Sequence, residues 1–175
     1  QKLASLCYKK LSMSKKNSNV LNLKSTIIED RKIFKIYKDF KRELSKITNN
    51  KPFVAAISGG ADSLALAALS ELYGIEKKII IHFILIDHGI RKNSQREAKS
   101  VQKLLKKFSI FLKIKKNNKK IKANIQKAAR DTRYKFLGDF CIKKKIKYIL
   151  TAHHMDDQIE TFLIRLSRGS GIQGL

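Results

Sequence analysis

The sequence predicts an α/β fold in which a doubly wound parallel sheet carries helices on both faces. Short apolar runs alternate with longer segments of helical periodicity along most of the chain, which is the pattern of βαβ units. The run IIIHFILI at 79–86 is almost continuously apolar, as expected of a strand buried on both faces. Polar clusters follow three of the predicted strands. Ligands bind at that edge of such a sheet.

The N-terminal part of the chain precedes this alternating pattern. Residues 1–28 contain no acidic residue and are predicted to be a basic, disordered leader. A transit peptide is the alternative, but such peptides are usually rich in Arg, and the basic residues here are all Lys. Apolar residues spaced three and four apart predict an amphipathic helix at 29–47 within an N-terminal helical segment at 29–50. Pro52 follows that segment.

The rest of the chain has the length of one domain. Its predicted strands cover residues 53–57, 79–86, 110–114 and 147–152. Its predicted helices cover residues 64–73, 94–108, 125–144 and 155–168.

Charge is the strongest compositional feature. The 175 residues include 39 Lys and Arg against 14 Asp and Glu, a formal net charge of +25. Such a balance favours a polyanionic partner such as nucleic acid. The alternative is the codon bias of an AT-rich genome, since Lys, Ile and Asn are abundant. Either origin gives salt-sensitive affinity for RNA or DNA.

Cysteine content and hydropathy exclude several classes of protein. No apolar run reaches the ~18 residues of a membrane-spanning helix, so no membrane partner is expected. Cys7 and Cys141 lie far apart without a C-x-x-C pair, which argues against a disulfide scaffold, a zinc ribbon or an iron–sulfur site. This usage favours a reducing compartment, here the cytoplasm.

The segment Ser58-Gly59-Gly60-Ala61-Asp62-Ser63 is the most informative motif, and it lies between a predicted strand and a predicted helix. The two glycines can adopt positive φ and let a ligand approach the backbone. The serine hydroxyls and the first helical N–H groups favour an anion such as phosphate. Asp62 fits there if it holds Mg²⁺ beside the phosphates. The motif is neither a Walker loop nor a dinucleotide fingerprint. A bare Ser-Gly-Gly would merely connect strand and helix.

Two further clusters contribute polar side chains. Asp87 and His88 follow the strand 79–86, and Arg91 adds a positive charge suited to phosphate or substrate. A helix cap and a polar loop residue are the alternative for the first two. Arg130 and Arg133 share one helix face, which suits a polyanion or is simply a solvated basic face.

The segment HHMDDQIET at 153–161 leads into a helix whose polar face carries acidic residues and then arginines. Asp157 near the helix start is favourable with the helix dipole, but that does not explain the histidine pair. The arrangement could bind metal, orient a nucleophile and clamp phosphate. Oxygen-bound Mg²⁺ ranks above zinc, because a third nitrogen or sulfur ligand is missing.

The motifs SGGADS, IDHGIR, ARDTRY and TAHHMDDQIETFLIRLSRGSGIQGL together resemble the N-type ATP pyrophosphatases, and among them the N-terminal catalytic domain of the tRNA(Ile)-lysidine synthase family. The resemblance covers about residues 53–175. It implies a Rossmann-like fold of the adenine nucleotide alpha hydrolase type. It also implies an ATP-dependent ligase that adenylates the wobble cytidine of tRNA(Ile), releases pyrophosphate and then joins lysine to the base, forming lysidine.

The resemblance also implies roles for individual residues. Residues 58–63 would cradle the ATP phosphates, with Asp62 on Mg²⁺, and the nucleotide pocket would continue at Asp87 and His88. The catalytic set would be Asp62, His153, Asp157 and Glu160. The residues facing phosphate or RNA would be Arg91, Arg130, Arg133, Arg165 and Arg168.

The implied partners are free L-lysine and tRNA(Ile) with a CAU anticodon, and a homodimer is left open as the assembly. Family members continue beyond the last motif, so residues 51–175 are expected to be a C-terminally truncated catalytic domain. Two alternatives stay open. One is another tRNA-modifying or amide-forming ATP pyrophosphatase, although thiolation enzymes need paired cysteines. The other is a nonenzymatic RNA-binding domain.

Overall fold

The computed structural model describes residues 23–90, 92–117 and 125–152. Nine helices and strands lie within these ranges. In chain order they are α1 (Leu23–Glu29), α2 (Arg31–Thr48), β1 (Phe53–Ile57), α3 (Ala61–Lys77), β2 (Ile81–Asp87), α4 (Ser94–Lys106), β3 (Leu112–Lys116), α5 (Ile125–Lys144) and β4 (Tyr148–Thr151). The helix predicted at 155–168 lies outside the described residues.

The four strands form one parallel sheet in the order β3-β2-β1-β4. The chain builds outward from β1 through β2 to β3, and then returns to place β4 on the other side of β1. The strand order therefore reverses between β1 and β4. Loops leave the two strands in opposite directions at such a point and open a crevice at the carboxyl ends.

Helices cover both faces of the sheet, as predicted. Residues of alternating strand positions enter two separate cores, because successive side chains point to opposite faces. Phe53 and Ala55 of β1 pack in the larger core with residues of α1 to α4. Val54 packs in the smaller core with Leu137 and Cys141 of α5.

The prediction of a disordered leader through residue 28 is wrong at its C-terminal end. Residues 23–28 belong to α1, where Leu23 and Ile27 are buried four positions apart in the larger core. Their burial stabilises this helix. The sequence did not predict it, because the absence of acidic residues was interpreted as a sign of a disordered leader. The next helix begins at Arg31, because the Asp30 carboxylate accepts hydrogen bonds from the N–H groups of Lys32 (3.0 Å) and Ile33 (3.2 Å). Residues 1–22 lie outside the described part of the chain.

Helix α3 extends past the predicted end at residue 73 and runs to Lys77. Gly74 therefore lies inside the helix. A Cβ atom at this position would come within 2.8 Å of Ile81 Cδ1 and 3.2 Å of the Ile79 carbonyl oxygen. Glycine therefore lets the helix pass closely over β2, and its helix-breaking tendency is outweighed by packing.

No helix in the described ranges is long and apolar enough to cross a membrane.

Candidate functional site

A cavity of about 1020 Å³ opens at the carboxyl edge of the sheet. It lies where the chain leaves β1 at Ser58, β2 at His88 and β4 at Ala152, with Arg133 of α5 also in its wall. The crevice between β1 and β4 belongs to this cavity, because Thr151 and Gly59 both line it. The predicted ligand edge of the sheet is thus a concave site.

The turn after β1 depends on Gly59. Its φ of +92° is strained for any residue with a side chain, and an added Cβ would lie 3.1 Å from Val101 Cγ2 of α4. Gly60 does not share this conformation, since it has φ −71° and is the N-cap of α3. The sequence predicted that both glycines can adopt positive φ. In the structure only Gly59 of the pair does so.

Ser63 fastens this turn from inside the helix. Its hydroxyl oxygen accepts the Gly59 N–H at 3.0 Å and donates its own hydrogen to the Gly60 carbonyl oxygen at 2.8 Å. The residue is only 3% exposed. Ser63 therefore bonds within the turn, and its contact with a phosphate stays a prediction. Ser58, by contrast, is exposed at the cavity wall.

The start of α3 gives the turn an electrostatic preference for anions. Gly60 has no side chain to cap the helix, and the first N–H groups of an α-helix have no acceptor within the helix. Together with the helix dipole they attract negative charge. Asp62 lies half-buried in the first turn of the same helix.

Asp87 and His88 differ in their bonding. Asp87 is 4% exposed, and its carboxylate accepts the Gly89 N–H at 2.9 Å. Its first role is thus to shape the loop after β2. Both ring nitrogens of His88 are buried, and neither has a hydrogen-bond partner among the described residues. Burial, and then the positive charge of Arg133, lower the pKa of His88, while Asp87 opposes the shift.

The two arginines of α5 are separated by the structure. Arg133 lines the cavity and is close enough to His88 to lower its pKa. Arg130 is exposed, and its guanidinium carbon lies 5.8 Å from the centre of the Tyr134 ring. Of the two arginines, only Arg133 thus lines the cavity.

Six predicted site residues lie outside the described part of the chain. They are Arg91, His153, Asp157, Glu160, Arg165 and Arg168. Their roles stay predictions.

The start of α4 was missed as part of the site. Asn93, Ser94, Arg96 and Glu97 line the cavity, and they add one basic and one acidic group to its wall. A signal for them existed in the sequence. A helix that follows a parallel strand begins at the carboxyl edge of the sheet, so the first turn of the helix predicted at 94–108 had to lie near the glycine turn.

Comparisons with known proteins agree with this architecture. The PP-loop domain family matches residues 28–175. A solved structure, the U34-tRNA thiolase NcsA from Methanococcus maripaludis with its 4Fe-4S cluster, superposes with a TM-score of 0.63 and 21% sequence identity, covering 78% of this chain and 51% of that one. At that identity the likeness shows the fold alone.

Curated relatives are more similar in sequence. The tRNA(Ile)-lysidine synthase of Wolbachia pipientis wMel is 44% identical over 131 residues, which is 72% of this chain and 30% of the relative. That of Wolbachia sp. subsp. Brugia malayi (strain TRS) is 41% identical over 134 residues, 74% of this chain and 30% of the relative. That of Rickettsia felis is 33% identical over 148 residues, 80% of this chain and 34% of the relative.

The chain spans about a third of the length of these relatives. By the match over residues 28–175, this chain belongs to the PP-loop domain family.

Proposed function

We propose that the protein joins lysine to the wobble cytidine of tRNA(Ile) with a CAU anticodon, in an ATP-dependent reaction that forms lysidine. Membership of the PP-loop family implies the use of ATP. The observation that carries the proposal is the glycine turn, with Gly59 at φ +92°, opening into a large cavity where the strand order reverses. Similarity to proteins named tRNA(Ile)-lysidine synthase supports the choice of reaction.

The turn would hold the phosphates of ATP. A phosphate can approach the backbone closely at Gly59, because no Cβ stands in its way. The N–H groups at the start of α3 then face the anion. Ser63 keeps this geometry through its two hydrogen bonds to the turn. Such fixed donors stabilise charge that develops during adenylation. In other enzymes, comparable donors contribute about 3–4 kcal/mol each.

Asp62 would hold Mg²⁺ against these phosphates. Among the described residues, no group of three His, Cys, Asp or Glu side chains could form a metal site by itself. Mg²⁺ is usually bound through one or two carboxylates together with substrate phosphates and water, so the single carboxylate of Asp62 in the first turn of α3 suits it. When bound, the ion screens phosphate charge and favours the departure of pyrophosphate.

His88 and Arg133 would meet the part of the substrate that enters the cavity. A buried polar group without a partner is costly, so the His88 ring favours a ligand that supplies a hydrogen bond. Since its pKa is lowered, the ring stays neutral near pH 7 and can accept such a bond. The Arg133 guanidinium remains charged and suits phosphate.

Further assignments belong to the same proposal. His153, Asp157 and Glu160 would form the wall that faces metal and free L-lysine, and Arg91, Arg165 and Arg168 would face phosphate or RNA. Homodimeric assembly stays open. A cytoplasmic location is expected, because ATP, lysine and tRNA are available together there.

The test is lysine incorporation by the complete product of the gene that encodes these residues. We expect labelled lysine to enter an unmodified tRNA(Ile) transcript with a CAU anticodon, with one pyrophosphate released for each lysine. A transcript with uridine at the wobble position is the matched control. Absence of both products with the CAU transcript would contradict the proposal.

Asp62→Asn is the variant that tests the metal role. The substitution keeps the size of the side chain and removes its charge, so folding should survive while turnover is lost. Wild-type turnover at an unchanged Mg²⁺ requirement would exclude the role given to Asp62. Thermal unfolding of the variant, measured by circular dichroism, provides the control for folding.

A nonenzymatic RNA-binding domain is the second candidate, favoured by the net charge of +25. It predicts RNA affinity that ATP does not change, together with no release of pyrophosphate. A tRNA thiolation enzyme is less well supported. The likeness to a thiolase shows the fold alone, and the only cysteines of this sequence are the widely separated Cys7 and Cys141.

A further inference from the structure

A strip of basic side chains runs along the seam between β3 and α5, outside the cavity. The register pairs Lys113 with Ile84 and Lys115 with Ile86 of the neighbouring strand. The two isoleucines are buried in the core beneath α5, so both lysines project from the same face of the sheet. In β3, the edge strand of the described sheet, exposed lysines therefore occupy positions at which the neighbouring strand β2 has buried isoleucines.

Both lysines lie over aromatic rings of α5. Lys113 Nζ is 5.3 Å from the centre of the Phe140 ring, and Lys115 Nζ is 5.5 Å from that of Phe136. Both ammonium groups therefore lie within cation–π distance of a ring, and both lysines are exposed. Within residues 23–90, 92–117 and 125–152, neither lysine forms an ion pair. Their charges are thus available to an anion.

The strip is continuous with the cavity. Arg133, Phe136, Phe140 and Lys144 follow one another at helical spacing along one stripe of α5, and Arg133 lines the cavity. The far end is marked by His82, whose ring packs edge-to-face on Phe140. Burial, then the charges of Lys144 and Lys113, lower the pKa of His82.

We propose that this basic strip, formed by Lys113, Lys115 and Lys144 with Arg133 at its cavity end, binds the phosphate backbone of the RNA whose reacting base enters the cavity. The inference rests on the proposed function and adds a second contact surface to it. A row of cations leading out of a binding cavity matches a chain of phosphates leading out of the same cavity. Charge complementarity of this kind positions a nucleic acid without reading its sequence.

Two simpler accounts compete with this proposal. Lysines on an edge strand discourage pairing with another chain, and that role needs no RNA. A net charge of +25 would also attract RNA to any face of the protein. Both accounts predict that the position of a removed lysine is unimportant for RNA binding.

The experiment compares two double variants with the same change in charge. Lys113→Gln with Lys115→Gln neutralises the strip. Lys35→Gln with Lys38→Gln is the control, because these exposed residues lie on α2, whose buried face packs in the core on the opposite side of the sheet. Lys38 likewise lies over an aromatic ring, with Nζ 4.7 Å from the centre of Phe34. All four substitutions are at exposed sites, so both variants should fold.

The measurement is the dissociation constant of the complete gene product for the CAU transcript, taken from ~50 to ~200 mM NaCl. We expect the strip variant to bind more weakly and its log–log salt slope to be shallower by about 1.4, from two phosphate contacts at ~0.7 each. The control should keep the wild-type slope. In lysine incorporation, the strip variant should raise KM for tRNA and leave kcat unchanged.

Equal slopes for the two variants would overturn the proposal and leave general charge as the explanation. A strip variant that loses binding to phosphatidylglycerol vesicles but keeps its affinity for tRNA would overturn it too, in favour of a membrane surface. Failure of the unmodified protein to incorporate lysine contradicts the proposed function. The slope comparison would still decide whether the strip binds RNA.

Discussion

At the scale of single residues, Gly59 has a conformation that a side chain would strain. Replacing it with Ala would force Cβ into a φ of +92° and to within 3.1 Å of Val101 Cγ2. We expect the Gly59→Ala variant to lose about 1–3 kcal/mol of unfolding free energy and to bind ATP poorly. Urea unfolding and nucleotide titration measure the two effects.

Gly60→Ala is the matched control for this prediction. Gly60 has φ −71°, and its added Cβ would lie 3.8 Å from Ser58 Oγ, an ordinary contact. Its stability should therefore stay close to that of the unmodified protein. Equal losses in the two variants would show that the strain at Gly59 is not what the turn depends on.

We expect His88 to make the stability of the protein depend on pH. Burial and Arg133 lower its pKa from the ordinary 6.5, so below that pH the unfolded chain binds a proton that the native chain does not. Linkage then makes stability fall as the pH drops from about 6.5 towards the lower native pKa. His82 acts in the same direction, through burial and its neighbouring lysines.

The prediction is a melting temperature that is steady near neutral pH and declines below about pH 6.5. His88→Gln and His82→Gln should each reduce the decline, and the double variant should remove most of it between about pH 5 and pH 6.5. An undiminished decline in the double variant would show that other groups cause it.

The sequence predicted several of the loop residues that lie at the cavity. It did not predict which hydrogen bonds they form. The SGGADS motif indicated a phosphate-binding turn, because glycines and donors cluster between a strand and a helix. The motif did not indicate that the Ser63 hydroxyl bonds within the turn. Likewise, the IDHGIR motif did not indicate that Asp87 accepts the Gly89 N–H. A hydroxyl or carboxylate can serve a ligand or its own backbone. Which of these occurs depends on backbone direction, which sequence spacing does not contain.

At the scale of elements, periodicity predicted most segments, and local packing set their ends. The predicted helix at 125–144 coincides with α5, since twenty residues of helical spacing leave little ambiguity. The short strand predicted at 110–114 is observed two residues later, at Leu112–Lys116. Its alternation of apolar residues and lysines contains no boundary signal. Helix α1 was missed, because two buried residues in seven give too weak a pattern.

Helix α5 holds its face of the sheet through Leu137, which is fully buried between β1 and β2 side chains. We expect Leu137→Ala to destabilise the protein by about 2–3 kcal/mol. This is the lower part of the usual range for such a truncation, because Leu137 also borders the cavity and water can enter the space left behind. Chemical denaturation gives the value.

Ile142→Ala on the same helix is the control, since Ile142 is 79% exposed. Its effect should stay within about 0.5 kcal/mol. A Leu137→Ala variant as stable as this control would mean that α5 is not anchored to the sheet at that position.

At the scale of the whole molecule, βαβ alternation predicted the parallel sheet and the edge at which the cavity opens. The strand order β3-β2-β1-β4 came only from the structure, because alternation is equally compatible with other orders. That order places the glycine turn beside the end of β4 and so accounts for the cavity. The start of α4 lines the same cavity because α4 follows β2 and so begins at the carboxyl edge of the sheet. Residue types alone did not reveal this.

Because of the net charge of the whole molecule, added salt should raise the stability of the protein and lower its affinity for RNA. Repulsion among the charges that make up the net +25 destabilises the compact state, and salt shortens its range to about 10 Å at 0.1 M. The melting temperature of RNA-free protein should therefore rise between ~20 and ~200 mM NaCl. Over the same range affinity for RNA should fall, because each counterion released on binding gains less entropy when the bulk salt concentration is higher. Exposed ion pairs such as Arg42 with Asp39 are too weak to reverse the first trend. Potassium glutamate at equal ionic strength separates screening from specific ion binding, and a melting temperature that falls with both salts would contradict the charge-repulsion account.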